Sequence, residues 1–192
     1  MTSAFRQQID ERILDEAAAL FARRGFAKTS VQAVADAVGL SKAGLLHHYP
    51  SKDALLAALL ERSRALAKEV LDQAGSLPIG ATRDRLAIEV LVDQALARPG
   101  MVAFLLSFVA TLQAEDFGAD PGFGLINAEV FAAFGVDQST SPERLTRITG
   151  AVAVLSNLAL TTPRSAQTTT WRSNVVATSF DALGHLVRLP PT

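Results

Sequence analysis

Residues 29–52 read TSVQAVADAVGLSKAGLLHHYPSK, and their spacing decides the fold. Val31, Val34, Ala35 and Val38 recur at i, i+3, i+4 and i+7, which places them on one face of a helix. Thr29 and Ser30 precede that run, where a hydroxyl can accept from the first free backbone N–H groups. Gly39 follows it, in the position of a left-handed helix cap. Ser41 is a second N-cap and opens a run through Tyr49. Pro50 then forbids simple continuation, and Ser51 caps the next helix. Helix, glycine turn, helix is the plan in which a second helix enters the major groove of DNA.

That second helix offers small, polar or basic side chains at Ser41, Lys42, Ala43, Gly44, His47 and His48, while Leu45 points inward. A glycine inside a helix costs about 1 kcal/mol relative to alanine. Gly44 is either tolerated in a short, well-supported helix or kept for close approach to another surface. Its company of Lys42, His47, His48 and Lys52 favours a groove-facing helix.

The order T-S-V-x-x-V-A-x-x-V-G-L-S-K-x-x-L-x-x-H-Y-x-S-K, within about residues 9–60, resembles the signature of the TetR (tetracycline repressor) family of bacterial transcription regulators. The resemblance implies an all-α homodimer with an N-terminal helix-turn-helix domain and a C-terminal helical domain that binds an effector and dimerises. It implies a regulator, most often a repressor, acting on a near-palindromic operator in double-stranded DNA. Lys42, Ala43, Gly44 and His47 are then expected to face the bases. Thr29, Ser30, His48 and Lys52 are expected to anchor phosphates, and the Ser41 cap turns the positive helix end toward phosphate. One position departs from the pattern. The family usually carries tyrosine where Leu46 stands; Leu46 has no hydroxyl for a phosphate but can meet a thymine methyl group. Tyr49 is expected to pack beneath the helix.

Composition narrows the class. The 192 residues are 49% hydrophobic, ample for a core, and contain no cysteine, which excludes disulfides and thiolate metal sites. No run of 18 apolar residues is present, so no membrane span is expected. The opening MTSAFRQQIDER contains acidic residues and lacks an apolar stretch, so no secretory signal is expected, and a cytoplasmic protein is. Net charge is only −1, but all four lysines (Lys28, Lys42, Lys52, Lys68) lie in the first 68 residues. Between Arg23 and Lys52 five basic residues face a single acidic one, Asp36. Such a patch is either ordinary solvated surface or a DNA footprint, and its coincidence with the helix-turn-helix favours the footprint.

Enzymatic signatures are missing. None of the three histidines, His47, His48 and His185, has metal-ligand spacing, and no G-x-S-x-G, Walker A or dinucleotide glycine motif occurs. No catalytic residue, metal or cofactor is expected. The competing reading is a helical binding or scaffolding protein that uses the helix-turn-helix only structurally.

Along the chain about nine helices are expected. Residues 1–50 form the DNA-binding domain and residues 51–192 the effector-binding and dimerisation domain, joined by a helix over 51–74. The first helix carries the stripe Ile9, Ile13, Ala17, Leu20 and Phe21 and ends at Gly25. Thr82 is read as the cap of a helix ending near Pro99, Ser141 with Pro142 as a strong helix start, and residues 168–189 as the last helix. Met101, Phe104, Leu105, Phe108, Leu112 and Phe123, with Asn157 and Trp171 as polar handles, are candidates to line a pocket. The same stripe also suits plain core. No cationic cluster marks an anionic ligand, so a small, largely apolar effector is expected. Leu145, Ile148, Val152 and Leu155 follow a heptad-like spacing, matched by Val176, Phe180, Leu183 and Val187 on the last helix. These residues are expected to form the dimer interface, although burial within one chain explains the pattern equally well. The helix over 51–74 is expected to transmit effector binding to the DNA end.

Overall fold

Each start and stop read from residues 29–52 is realised locally. In the computed structural model, which describes residues 3–111, 121–162 and 169–185, with side chains over 5–107, 124–162 and 169–185, Ser30 caps α2 (Val31–Val38). Its hydroxyl oxygen accepts from the Ala33 N–H at 3.1 Å. Gly39 closes α2 in the left-handed region at φ 73°. Ser41 caps α3 (Lys42–His48), and Ser51 caps α4 (Lys52–Ala74). Before them runs α1 (Ser3–Arg24); after them come α5 (Ala81–Ala97), α6 (Pro99–Thr111), α7 (Pro121–Ala133), α8 (Pro142–Thr161) and α9 (Thr169–Ala182). Among the described residues the structure is all-α, with nine helices and no strand.

The apolar stripes meet in one continuous core. Ile13, Ala17 and Phe21 of α1 pack with Val34, Ala35 and Val38 of α2, Leu45 of α3, and Leu55 and Leu59 of α4. Full burial of such a side chain is worth roughly 1.5–3 kcal/mol, so these few anchors fix the short α2 and α3, which are too brief to be stable alone. Beyond them α1 lies along α6, α6 packs on α8, and α4 packs chiefly on α7 and α5. Polar ties reinforce the far end. Arg83 donates to the carbonyls of Leu77, Ala132 and Ala133. The buried Asp84 receives Arg144 and His185, each at 2.6 Å.

Two expectations need correction. Thr82 does not cap α5, which begins one residue earlier with Gly80 at the cap position and no side-chain cap bond. The last helix stops at Ala182 rather than near residue 189: Gly184, at φ 90°, turns the chain, and His185 is held by Asp84. The heptad-like seam is internal to the chain. Ile148, Val152 and Leu155 have no exposure, Val176 and Leu183 are nearly as buried, and only Leu145 and Phe180 keep a partly open surface. Val187 lies outside the described residues.

The described side chains of the expected pocket stripe are buried as well. Met101, Phe104 and Leu105 are fully buried, with the Phe104 ring 6.2 Å from that of Phe21 on α1. A helix apolar on nearly every side is covered from several directions, here by α1 and by α8, whose Ser156 hydroxyl donates to the Ala103 carbonyl. Asn157 points outward from α8, and Trp171 packs half-buried against the core. Leu112 lies outside the described residues, as do the side chains of Phe108 and Phe123.

Candidate nucleic-acid interface

The surface around α3 follows from how few of its residues are spent on packing. Leu45 is the buried anchor at 1% exposure, and Tyr49, partly buried, closes the helix by donating its N–H to the Leu45 carbonyl. Burial and the nearby charge of Asp10 push the Tyr49 phenol up to about 12, so it stays neutral beneath the helix, as expected of a packing residue. Opposite Leu45, the side chains of Lys42, Ala43 and His47 are exposed, with Leu46 and Gly44 half-buried at the edges. Residues 42, 43, 46 and 47 share one helix face, so this side presents a cation, a methyl group, an isobutyl group and an imidazole together.

The Ser41 oxygen accepts from the Gly44 N–H at 3.0 Å, which orders the first turn. Gly44 has a local reason to be glycine: a Cβ there would lie 3.2 Å from that capping oxygen. The other N–H groups of that first turn have no partner within the helix.

Three of the expected phosphate anchors are engaged inside the protein. Thr29 is 1% exposed, and its hydroxyl donates to the Gly25 carbonyl at 2.9 Å, closing the turn after α1. Lys52 reaches back to the same turn: its ammonium donates to the carbonyls of Phe26 at 2.9 Å and Thr29 at 3.2 Å and sits 4.1 Å from the Phe26 ring centre. His48 donates from Nδ1 to the Asp10 carboxylate of α1 at 2.6 Å, which fixes the ring. Only Ser30 of that set is exposed, although its oxygen serves the α2 cap. A cation not singled out from the sequence stands in their place. Lys28 is exposed in the turn before α2 and, like Lys42, makes no ion pair or hydrogen bond among the described residues. Its membership of the basic stretch was the available signal; the inward bonding of Lys52 was not visible in the spacing.

Two cavities lie around α1. One of about 260 Å³ is bordered by Asp15, Arg23, Gly100 and Thr162. The other, of about 740 Å³, runs between Phe5, Ile9 and Arg12 of α1, the turn at Val38–Leu40, and Arg98. Neither touches Met101, Phe104 or Leu105.

Residues 13–59, which hold α2, α3 and their braces, match the sequence pattern described as bacterial regulatory proteins, tetR family. That segment is of the TetR family. The chain is 27% identical over 138 residues to an uncharacterised helix-turn-helix transcriptional regulator of Mycobacterium tuberculosis, covering 71% of this chain and 68% of that one. Over 76 residues it is 37% identical to a helix-turn-helix transcriptional repressor of the same species, covering 40% of each. Its fold is similar to that of AibR, solved in complex with isovaleryl coenzyme A and operator DNA, with a TM-score of 0.54 at 20% identity over 96% of this chain and all of that one. It is a DNA-binding transcriptional regulator of the helix-turn-helix kind. No described helix is long and apolar enough to cross a membrane.

Proposed function

We propose that this chain is a ligand-responsive repressor that binds a near-palindromic operator as a homodimer. Residues 1–50 read the DNA, and residues 51–192 bind the effector and dimerise. The observation that carries the reading is the outer face of α3, where Lys42, Ala43 and His47 stand exposed on a helix whose own anchor is Leu45. Lys42, Ala43, Leu46 and His47 meet base edges in the major groove, while Lys28, Ser30 and the capped start of α3 meet phosphates. A contiguous helix face held by core packing is what direct readout needs, because the bases are reached only by side chains of one rigid element.

Two copies must place their recognition helices about 34–36 Å apart to meet successive turns of the groove. With the apolar seam spent inside the chain, the surface left for pairing is the outward side of α8 and α9. There Thr146, Gly150 and Asn157, and Thr170, Asn174 and Ala177, are exposed and uncharged. The effector is a small, largely apolar molecule; the acyl-CoA held by AibR supports a ligand response on this fold. Acting on operator DNA, the protein works in the cytoplasm.

Fluorescence anisotropy with duplex DNA flanking the protein's own coding region tests the reading. Binding there should exceed binding to scrambled duplex by orders of magnitude at physiological salt. Equal affinity for both would refute a specific regulator, and light scattering that finds a stable monomer at micromolar concentration would refute the dimer.

A further inference from the structure

Asp15 lies on the inner face of α1 at 5% exposure, and its Oδ1 accepts from the Met101 N–H at 3.0 Å across the crossing with α6. Met101 is in the first turn of α6, so its N–H has no partner within that helix, and a carboxylate placed there also meets the positive helix end. The cap of α6 is therefore supplied by a residue 86 positions away. The two helices meet with no slack: a Cβ on Gly100 would lie 2.0 Å from the Asp15 carbonyl oxygen and 3.0 Å from the Ala19 Cβ. Arg98, immediately before α6, adds an ion pair with Glu11 of α1 at 3.3 Å.

The same stretch of α1 holds the DNA-facing elements. Asp10 accepts from His48, the last residue of the recognition helix, at 2.6 Å. Arg12 donates to the carbonyl of Val38, the last residue of α2, at 3.1 Å. Residues 10, 12 and 15 fall within two turns of one unbroken helix, so the start of α6, the helix-turn-helix turn and the recognition helix are tied to a single rigid segment. The connecting helix α4 packs chiefly on α7 and α5.

We propose that α1 is the element through which α6 sets the recognition helix, with Asp15 as the positioning residue. This inference rests on the regulator reading above. A shift of the first turn of α6 must carry α1 with it, because parting them breaks the Asp15–Met101 bond and opens the close crossing at Gly100. Moving α1 then moves His48 and Val38. A ligand that favours a shifted α6 weakens DNA binding, and DNA weakens that ligand by the same factor.

Amide hydrogen exchange on the full-length, DNA-free protein tests the tie with Asp15→Ala, which removes the acceptor, and Asp15→Asn, which keeps an oxygen acceptor without the charge. In Asp15→Ala, exchange should quicken about tenfold, the factor for losing one cap, both over residues 98–104 and over residues 42–48. Asp15→Asn should restore both segments toward wild type. Faster exchange confined to residues 98–104 overturns the proposal. If Asp15→Ala does not fold, Asp15→Glu, which misplaces the oxygen, is followed over the same two segments: quickening of both supports the tie, and quickening of residues 98–104 alone overturns it. Anisotropy with the flanking duplex supplies a second arm. Asp15→Ala should weaken binding severalfold with an unchanged salt slope, since no phosphate contact is lost. A wild-type protein that binds no DNA would refute the regulator reading, while the exchange result would still decide whether α1 couples α6 to α3.

Discussion

Replacing Lys52 by Ala separates two readings of this lysine. If it contacted phosphate, the variant would bind all DNA more weakly, and the slope of log K against log salt would fall by about 0.9. The structure assigns its ammonium to the Phe26 and Thr29 carbonyls and the Phe26 ring. A hydrogen bond from a charged donor contributes about 1.5–3 kcal/mol and a cation–π contact about 0.5–1 kcal/mol. Lys52 is half-buried, so part of this returns as hydration when the tie is absent. The expected loss is about 2 kcal/mol of folding stability, or about 4–8 °C in Tm for a chain of this size. The salt slope should stay within error of wild type. Lys28→Ala should do the reverse, lowering the slope by about 0.9 while changing stability by less than about 0.5 kcal/mol. Urea unfolding and anisotropy over a salt series supply the two axes. A Lys52→Ala protein with wild-type stability and a slope reduced by about 0.9 would refute the internal role.

Three further outcomes follow from particular contacts. Gly100→Ala must push α1 from α6, because the new Cβ would sit 2.0 Å from the Asp15 carbonyl oxygen; it should cost about 2 kcal/mol or more by urea unfolding, and a neutral result would mean the crossing is loose. Arg144→Ala leaves the carboxylate of Asp84, 1% exposed, with only His185; a loss of about 3 kcal/mol is expected, and one under about 1 would show that Arg144 is dispensable. Tyr49 is the only tyrosine, so the phenolate absorbance band titrates it alone, and its midpoint should fall at about 12 in the folded protein. Since the folded value lies above the unfolded one, Tyr49 stabilises fully below about pH 10, and that contribution is lost as pH rises toward about 12. Tyr49→Phe should flatten that part of the alkaline unfolding curve.

The stretch from Thr29 to Lys52 was legible because its determinants are local. Ser30, Gly39, Ser41 and Ser51 each act on an amide or a backbone angle within a few residues, and the period of Val31, Val34, Ala35 and Val38 names a buried face without knowing what covers it. The Ser141–Pro142 start of α8 was readable for the same reason. Thr82 misled because a β-branched hydroxyl residue near a helix start resembles a cap, while Gly80 took the cap position.

Near-neighbour chemistry was enough to set the order of helices, the outer face of α3 and the family pattern around it. Which charged groups stay available to DNA depended on contacts between distant segments. Lys52 meets Phe26 across 26 residues, His48 meets Asp10 across 38, and Asp15 meets Met101 across 86. Such contacts likewise decided that Ile148, Val152 and Leu155 are covered by their own chain. Apolar periodicity specifies that a face leaves water but not what it packs against, and a charged side chain shows its partner only once distant segments have been brought together.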